Sequence, residues 1–459
     1  MGKRRIAVIV LAAGLGKRLR STTAKVLQSA AGKPLIHHVL GAIGAIGPAE
    51  HIFVVVGHGK EQVRASVNDA YDSITFVEQP ELRGTADAVK RCAPHLADFD
   101  GDVLVLPGDT PLLKNKSISL LLQRHREGHH HVSLLTAHLQ DPSGYGRVIR
   151  GPDGKVDIVE EADANDEQKR VTLISGGFWC FDSRSLFQAL DEVTANNAQG
   201  EFYLPDAALV ISRSRGMLIV ELEDPDEVKG VNDRNQLAEA SMILRRRIIE
   251  ELGLAGVTFE DPATTFIDEG VTIGTNTVIR PLTFLEGTTT IGADCTIGPS
   301  TRIVDSTIAD GTEVTFAVVK GSVVGPGCQV GPFASIRPGT ELKQGAKVGT
   351  FVELKATTVG KGSKVPHLSY IGDATIGADV NIGAGTITCN YDGETKIKSK
   401  TVIEDGVLTG SDSMLVAPVT LGRDSVTAAG SVVTRDIAPG DVVVGVPAKP
   451  VRKRKPKPG

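Results

Sequence analysis

Cysteine is sparse and scattered: Cys92, Cys180, Cys295, Cys328 and Cys389 are odd in number, and no two form a Cys-x-x-Cys pair. That argues against a disulfide framework and against a thiolate zinc cluster. Histidine runs out early. His367 is the only one after His138, so the second half cannot assemble a three-histidine zinc site. His129-His130-His131 lie side by side, where neighbouring side chains alternate in direction, and read as loop or surface. Basic charge is not in surplus, with 50 Lys+Arg against 55 Asp+Glu, so no overall field points to nucleic acid. No apolar run approaches the ~18 residues that a membrane span needs. The first residues carry a basic flank and an apolar stretch, as a secretory leader does. Gly14-Leu15-Gly16-Lys17-Arg18 follows at once, however, and a cytoplasmic protein is expected.

Glycine, by contrast, is abundant at 51 residues, and the hydrophobic share of 41% excludes global disorder. At roughly 150 residues per domain, the 459 residues suggest two or three domains. In the first half, Ile6–Val10, Ile52–Val56, Ile74–Val77, Val103–Leu106 and Val132–Ala137 are short, β-branched and apolar, as buried parallel strands are. Pro34–Ile43, Gly84–Cys92 and Ser117–Arg126 suit helices between them. This alternation implies an open α/β sheet with ligands outside the carboxyl ends of its strands. From Asp233 to Leu252, apolar residues at a 3.6 period predict one long amphipathic helix; Arg245-Arg246-Arg247 on it reads as a solvated face.

Past Gly256 an aliphatic residue followed by Gly recurs six residues apart, as at Ile291 and Ile297, Val324 and Val330, and Ile376 and Ile382. Val330 to Val348 and Ile403 to Leu421 are steps of eighteen. Sixes grouped in eighteens predict a parallel β-helix with three short strands per coil. Its hand does not follow from spacing. The expected domains are 1–232, a linker helix over 233–256, the β-helix over 257–448, and a basic, Pro-rich, disordered tail over 449–459.

Two motifs carry phosphate chemistry. Gly14-Leu15-Gly16-Lys17-Arg18 after the first strand offers backbone N–H groups and a cation to phosphate. Leu19 and Leu11 stand where a dinucleotide fingerprint and a P-loop, respectively, need Gly. Pro107-Gly108-Asp109 sets a carboxylate just past another strand, where it suits Mg²⁺ against phosphate oxygens.

Leu11-Ala12-Ala13-Gly14-Leu15-Gly16-Lys17-Arg18, Lys25, Gly84-Thr85-Ala86-Asp87-Ala88, Pro107-Gly108-Asp109 and Gly144-Tyr145-Gly146-Arg147 together resemble sugar-1-phosphate nucleotidyltransferases. Gly331-Pro332-Phe333, Arg337-Pro338-Gly339, Val352-Glu353-Leu354-Lys355, His367-Leu368-Ser369-Tyr370 and the stretch from Asn381 to Gly393 narrow the match. The whole chain is then similar to bacterial bifunctional N-acetylglucosamine-1-phosphate uridyltransferases/glucosamine-1-phosphate acetyltransferases. The resemblance implies a Rossmann-like α/β nucleotidyltransferase domain joined by a long α-helix to a left-handed parallel β-helix of hexapeptide repeats. It also implies a homotrimer that makes UDP-N-acetylglucosamine for cell-envelope polymers from UTP, acetyl-CoA and glucosamine-1-phosphate, through N-acetylglucosamine-1-phosphate.

Carried over by motif, Leu11, Ala12, Ala13 and Gly14 hold the uracil and ribose, with Arg18 and Lys25 on the phosphates. Gln79, Gly84 and Thr85 read the uracil edge, and Pro107-Gly108 lead to Asp109, which with Asn232 carries Mg²⁺. Gly146, Glu160 and Ser175 touch the N-acetylglucosamine. In the second half His367 is the general base, Arg337 and Lys355 bind the sugar phosphate, and Tyr370 and Asn381 bind the sugar. Ala384, Asn390, Tyr391, Ser411 and Ala429 line the acetyl-CoA site, which in the family forms between subunits.

The sequence departs from the family pattern in three places. Ala24 precedes Lys25 where Pro is usual; Ser175 replaces an Asn, shortening one sugar contact; and Gly445-Val446-Pro447 lacks a late coenzyme-binding Arg, for which the basic tail is a candidate substitute. A narrower reading keeps only the nucleotidyltransferase and makes the β-helix a trimerisation scaffold; Arg337, Lys355, His367 and Tyr370 argue against it. A non-catalytic regulatory subunit would have no need of Lys25, Asp109 and His367, all of which are present.

Overall fold

The computed structural model describes residues 4–44, 49–71, 73–151 and 155–455. The first three residues of the leader-like start and the last four of the basic tail lie outside the described residues. The chain divides into two compact units, Met1–Leu244 and Arg245–Gly459. Among the described residues no helix is long and apolar enough to cross a membrane.

In the first unit the β-branched runs become β1 (Arg5–Ala12), β2 (His51–Val56), β3 (Ile74–Glu78), β4 (Gly101–Pro107) and β5 (Val132–His138). Helices α1 (Leu35–Gly44), α2 (Lys60–Asn68), α3 (Thr85–Lys90) and α4 (Asn115–Glu127) lie between them in sequence. The hairpin β6 (Arg147–Arg150) and β7 (Val156–Val159) follows, then β8 (Leu173–Asp182), α5 (Ser183–Glu192), α6 (Leu204–Arg215) and β9 (Leu218–Glu221). The sheet runs β9-β5-β8-β4-β1-β2-β3, with the hairpin attached at β8.

Pairings among β1 to β4, and of β9 with β5, are parallel as expected. The ten-residue strand β8 is the exception: it inserts antiparallel between β4 and β5. Helices cover both faces, so strand alternation feeds two cores. Val8 and Val10 face one, and Ala7 and Ile9 face the other.

Helix α7 (Arg234–Leu254) spans the division between the two units. Ile249 belongs to the core of the second unit, with Ile248 and Leu252 packed against it. Arg245, expected on a solvated face, lies over the Phe266 ring with 5.2 Å from its guanidinium carbon to the centroid.

The second unit is a three-sided parallel coil. Its sheets start at Thr258–Phe259, Thr265–Ile267 and Thr272–Ile273, and successive strands pair in parallel. Ile267, Leu285, Ile303, Val319, Ile336, Leu354 and Ile371 form one inward column, each at most 1% exposed. Thr388 takes the next place in the column, and its hydroxyl accepts from the Gly372 N–H at 2.7 Å. Ile376 pairs with Ile403, a step of 27 where eighteen is usual, so one coil carries nine extra residues. They form an excursion between Cys389 and Thr401.

The tail expected to be disordered is instead ordered as far as Lys455. Lys449–Lys453 pairs antiparallel with Asp441–Val444, giving the last strand of the coil a partner. Arg454 pins the end: its Nη1 donates to the Gly406 and Asp424 carbonyls at 2.7 and 3.2 Å. Arg454→Ala should therefore speed amide hydrogen exchange between Lys449 and Lys453 about tenfold, leaving β1 unchanged. Mass spectrometry of exchanged peptides checks this, and equal rates would show that the pairing stands without Arg454.

Candidate active sites

In the first unit, β1 and β4 end side by side, Leu11 paired with Pro107. A cavity of about 580 Å³ opens at these carboxyl ends. Leu11, Ala12, Ala13, Gly14, Lys25, Gln79, Gly84, Thr85, Pro107, Asp109, Gly146, Glu160, Ser175 and Asn232 all line it. Gly108 sits behind, its N–H donating to the Leu11 carbonyl at 2.9 Å. Arg18 is exposed on a 3-10 turn (Lys17–Leu19) and is not among the lining residues.

Charge is concentrated at one point. The Lys25 ammonium pairs with the Asp109 carboxylate and donates to Asn232 Oδ1 at 2.8 Å. The Val231 N–H donates to the Asp109 carbonyl at 2.9 Å, tying the segment before α7 to the end of β4. Among the described residues no three His, Cys, Asp or Glu side chains gather into a metal cluster. Asp109 and Asn232 are nonetheless hard oxygen donors of the kind Mg²⁺ takes when phosphates and water complete its shell. The ammonium lodged between them marks the spot as one for a cation.

The base end is built by close approach. Gly84 has φ +110°, and a Cβ there would lie 2.4 Å from the Phe202 carbonyl oxygen, so only glycine fits. The Phe202 carbonyl accepts from the Ala86 N–H at 2.9 Å, and the Thr85 hydroxyl accepts from the Leu204 N–H at 2.9 Å. Gln79, 3% exposed, donates from Nε2 to the Gly84 carbonyl and Asp87 Oδ2 at 3.0 and 2.9 Å.

At the other end Ser175 turns back on its own chain, its hydroxyl accepting from the Gly177 N–H at 3.3 Å. Glu160 lies against Gly146. Burial, then the charges of Asp163 and Asp206, push its carboxyl above the ordinary value. Tyr145, Trp179 and Glu201 also line the cavity and were not singled out from the sequence. Tyr145 stood inside the Gly-Tyr-Gly-Arg motif, whereas Trp179 and Glu201 carried no spacing signal.

In the second unit the expected residues gather on one face and its adjoining corner. Pairing of Lys364 with Asn381, Asn381 with Leu408, and Leu408 with Val426 puts His367, Ala384, Ser411 and Ala429 at equivalent corner positions in successive coils. The Ala384 and Ser411 carbonyls accept from Asp412 and Gly430 N–H at 2.7 and 2.8 Å. Arg337 and Lys355 likewise follow paired strands on the next face, countered by Glu353 at 2.7 Å and Asp373 at 3.7 Å. Gly372 is next after Lys355; a Cβ there would meet Tyr370 Oη at 2.5 Å and Asn390 Nδ2 at 2.7 Å, so these two groups converge beside it. Asn390 also donates to Asp373 Oδ2 at 2.5 Å. His367, Asn381 and Tyr391 are exposed.

Comparison with known proteins follows the same division. A MobA-like NTP transferase domain matches residues 8–204, a GMPPB C-terminal domain matches 263–342, and a hexapeptide repeat of succinyl-transferase matches 400–435. The three parallel sheets and the hexapeptide match agree with the expected left-handed parallel β-helix. The bifunctional protein GlmU of Heliobacterium modesticaldum is 48% identical over 439 residues, covering 95% of this chain and 94% of that protein. GlmU of Rubrobacter xylanophilus is 48% identical over 444 residues, covering 97% and 93%. GlmU of Syntrophomonas wolfei is 45% identical over 442 residues, covering 96% and 97%.

The raised Glu160 carboxyl makes stability depend on pH. A carboxyl whose folded value lies above its unfolded one binds more protons when folded, so stability falls as pH rises from the unfolded value near ~4.3 through the folded one. Glu160→Gln should therefore stabilise the first unit at pH 7 relative to pH 4. Thermal unfolding at both pH values checks it; an equal or smaller gain at pH 7 would contradict the burial argument.

Proposed function

The chain belongs to the family of bifunctional GlmU proteins, and from that premise we propose that its two units hold the two halves of UDP-N-acetylglucosamine synthesis. What supports this most is convergence: residues from Leu11 to Asn232 line one cavity, while Arg337 to Ala429 collect on one face and corner of the coil. The scaffold-only alternative leaves that second gathering without a purpose.

In the first unit an oxygen of the N-acetylglucosamine-1-phosphate phosphate attacks the α-phosphorus of UTP in line, and pyrophosphate leaves. No covalent enzyme intermediate is needed, so positioning and charge neutralisation supply the catalysis. Lys25 and Arg18 bind phosphate oxygens, the buried Gln79 and Gly84-Thr85 fix the uracil, and Gly146, Glu160 and Ser175 meet the sugar. Asp109 and Asn232 would hold Mg²⁺, which would supply further charge stabilisation beside Lys25. In the second unit His367 accepts a proton from the glucosamine-1-phosphate amine. The amine attacks the acetyl-CoA thioester carbonyl, the C–S bond breaks, and coenzyme A leaves as thiol.

Each activity is removable alone. Asp109→Ala should abolish uridylyl transfer and leave acetyl transfer near wild type. His367→Ala should lower acetyl transfer by about 10²–10⁴-fold, with partial recovery at alkaline pH as the free-amine fraction rises. Assays of each half-reaction on the purified variants decide it; a joint loss in either folded variant would defeat the two-site reading.

The acetyl site also bears on assembly. Phe316, Phe333, Phe351 and Leu368 climb one corner of the coil, 39%, 55%, 60% and 60% exposed, the last adjoining His367. Successive rings stand 5.5 Å apart. An apolar stripe this continuous is unusual on a monomer, and we take two further copies of the chain as what covers it in a cytoplasmic homotrimer. Phe333→Asp combined with Phe351→Asp should reduce the mass in light scattering from three chains to one, taking acetyl transfer with it and sparing uridylyl transfer. An unchanged mass would place the seam elsewhere.

A further inference from the structure

Both hydrogens of the buried Gln79 amide are committed to the protein. Nε2 donates to the Gly84 carbonyl at 3.0 Å and to Asp87 Oδ2 at 2.9 Å. A carbonyl and a carboxylate only accept, so the amide must turn its nitrogen to them. Oε1 is thereby turned away from both, on a residue that lines the first cavity. No described residue donates to it.

Asp87 stands in the first turn of α3, whose N-terminal cap is Gly84. Both acceptors therefore come from one helix start. Arg91 steadies the carboxylate from the next turn, its Nε 3.5 Å from Asp87 Oδ2. Asp87 does not line the cavity, so it acts on a bound nucleotide through Gln79.

The direction of that amide is a choice between pyrimidines. Uracil carries a donor, N3–H, between two carbonyls; cytosine carries a bare N3 beside an N4 amine. With ribose and phosphates held by Leu11 to Gly14 and by Lys25, the edge of the base meets Gln79 in one register. Oε1 then accepts from uracil N3–H. Against cytosine the same oxygen faces the N3 lone pair, and reaching N4 instead means sliding the base away from the position its ribose sets. A reversed amide would have the opposite preference. A buried site built to satisfy one such pattern rejects the other, because a polar group is left unpaired.

We propose that Asp87 is a positioning residue that sets the pyrimidine selectivity of uridylyl transfer, locking the Gln79 amide with Oε1 towards N3 of the base and so favouring UTP over CTP. This rests on the uridyltransferase reading above.

The test is nucleotidyl transfer to N-acetylglucosamine-1-phosphate by the full-length chain, with UTP and with CTP, as wild type, Asp87→Ala and Asp87→Asn. The ratio of the two kcat/KM values on one preparation does not depend on how much of it is folded. Asp87→Ala leaves the Gly84 carbonyl alone to hold Nε2, and should lower the UTP-to-CTP ratio about tenfold, the scale of one charge-assisted hydrogen bond. Asp87→Asn keeps an acceptor oxygen at the same reach and should hold the ratio within about threefold of wild type. On wild type, UTP methylated at N3 has lost the donor and should fall at least about tenfold below UTP. An unchanged ratio in Asp87→Ala, with or without a shared loss of rate, would make Asp87 merely structural and overturn the assignment. An equal fall in Asp87→Asn, equal use of N3-methylated UTP, or wild-type use of CTP as good as UTP would overturn it too, each leaving the uridyltransferase reading intact. Wild-type protein active with neither nucleotide would overturn the reading itself.

Discussion

A parallel strand leaves the chain at the wrong end to pair again, so it must cross back before the next strand can form. The two units differ in how they cross back, and that choice decides where chemistry can sit. In the first, helices make the return, covering both faces and freeing only the strand ends; the cavity opens where β1 and β4 stop together. In the second, the return is two more short strands, so the interior is sealed by its aliphatic columns and only corners and outer faces remain. Equivalent positions then repeat in every coil. One register aligns His367 with Ala384, Ser411 and Ala429, and another aligns Arg337 with Lys355.

Both sites hold their cations in reserve by the same means. Lys25 is kept by Asp109 and Asn232, Arg337 by Glu353 and Lys355 by Asp373. A partly buried charge without a partner is costly, and in each case a carboxylate supplies one. Around the cations stand the close-set glycines, Gln79, and the Tyr370–Asn390 pair beside Gly372.

What the sequence made legible follows from periodicity and motif. Strands of pure Val, Ile and Leu announced themselves because parallel strands are buried on both sides, and the sixes and eighteens of the coil are its geometry written directly. Strand β8 did not. Its middle reads Ile174-Ser175-Gly176-Gly177-Phe178, neither alternating nor continuously apolar, because its register slips between Ser175 and Trp179 where it borders the cavity. The hairpin between Cys389 and Thr401 was hidden for a related reason. The nine-residue excursion interrupts the period, and nothing in the spacing says on which coil a hairpin tip comes to rest. The resemblance supplied the site residues, but which carboxylate holds which cation depends on neighbours one coil away.

The two ends of the coil are each closed by a different element. A stack of repeats exposes an unsatisfied edge at each end, and an open edge invites pairing with other chains. At the start, Ile249, Ile248 and Leu252 of α7 lie on the first coil, which is why the boundary between the units falls within that helix. At the finish, Lys449–Lys453 folds back as an antiparallel strand and Arg454 fastens it to the coils beneath. Composition suggested disorder because Lys, Arg and Pro dominate the tail. Those residues suit an edge strand equally well: Pro450 cannot donate a backbone hydrogen bond outward, and the charges of Lys449, Arg452 and Lys453 discourage another strand from joining. The same basic residues that look unfoldable in isolation are the ones that end a β-helix cleanly.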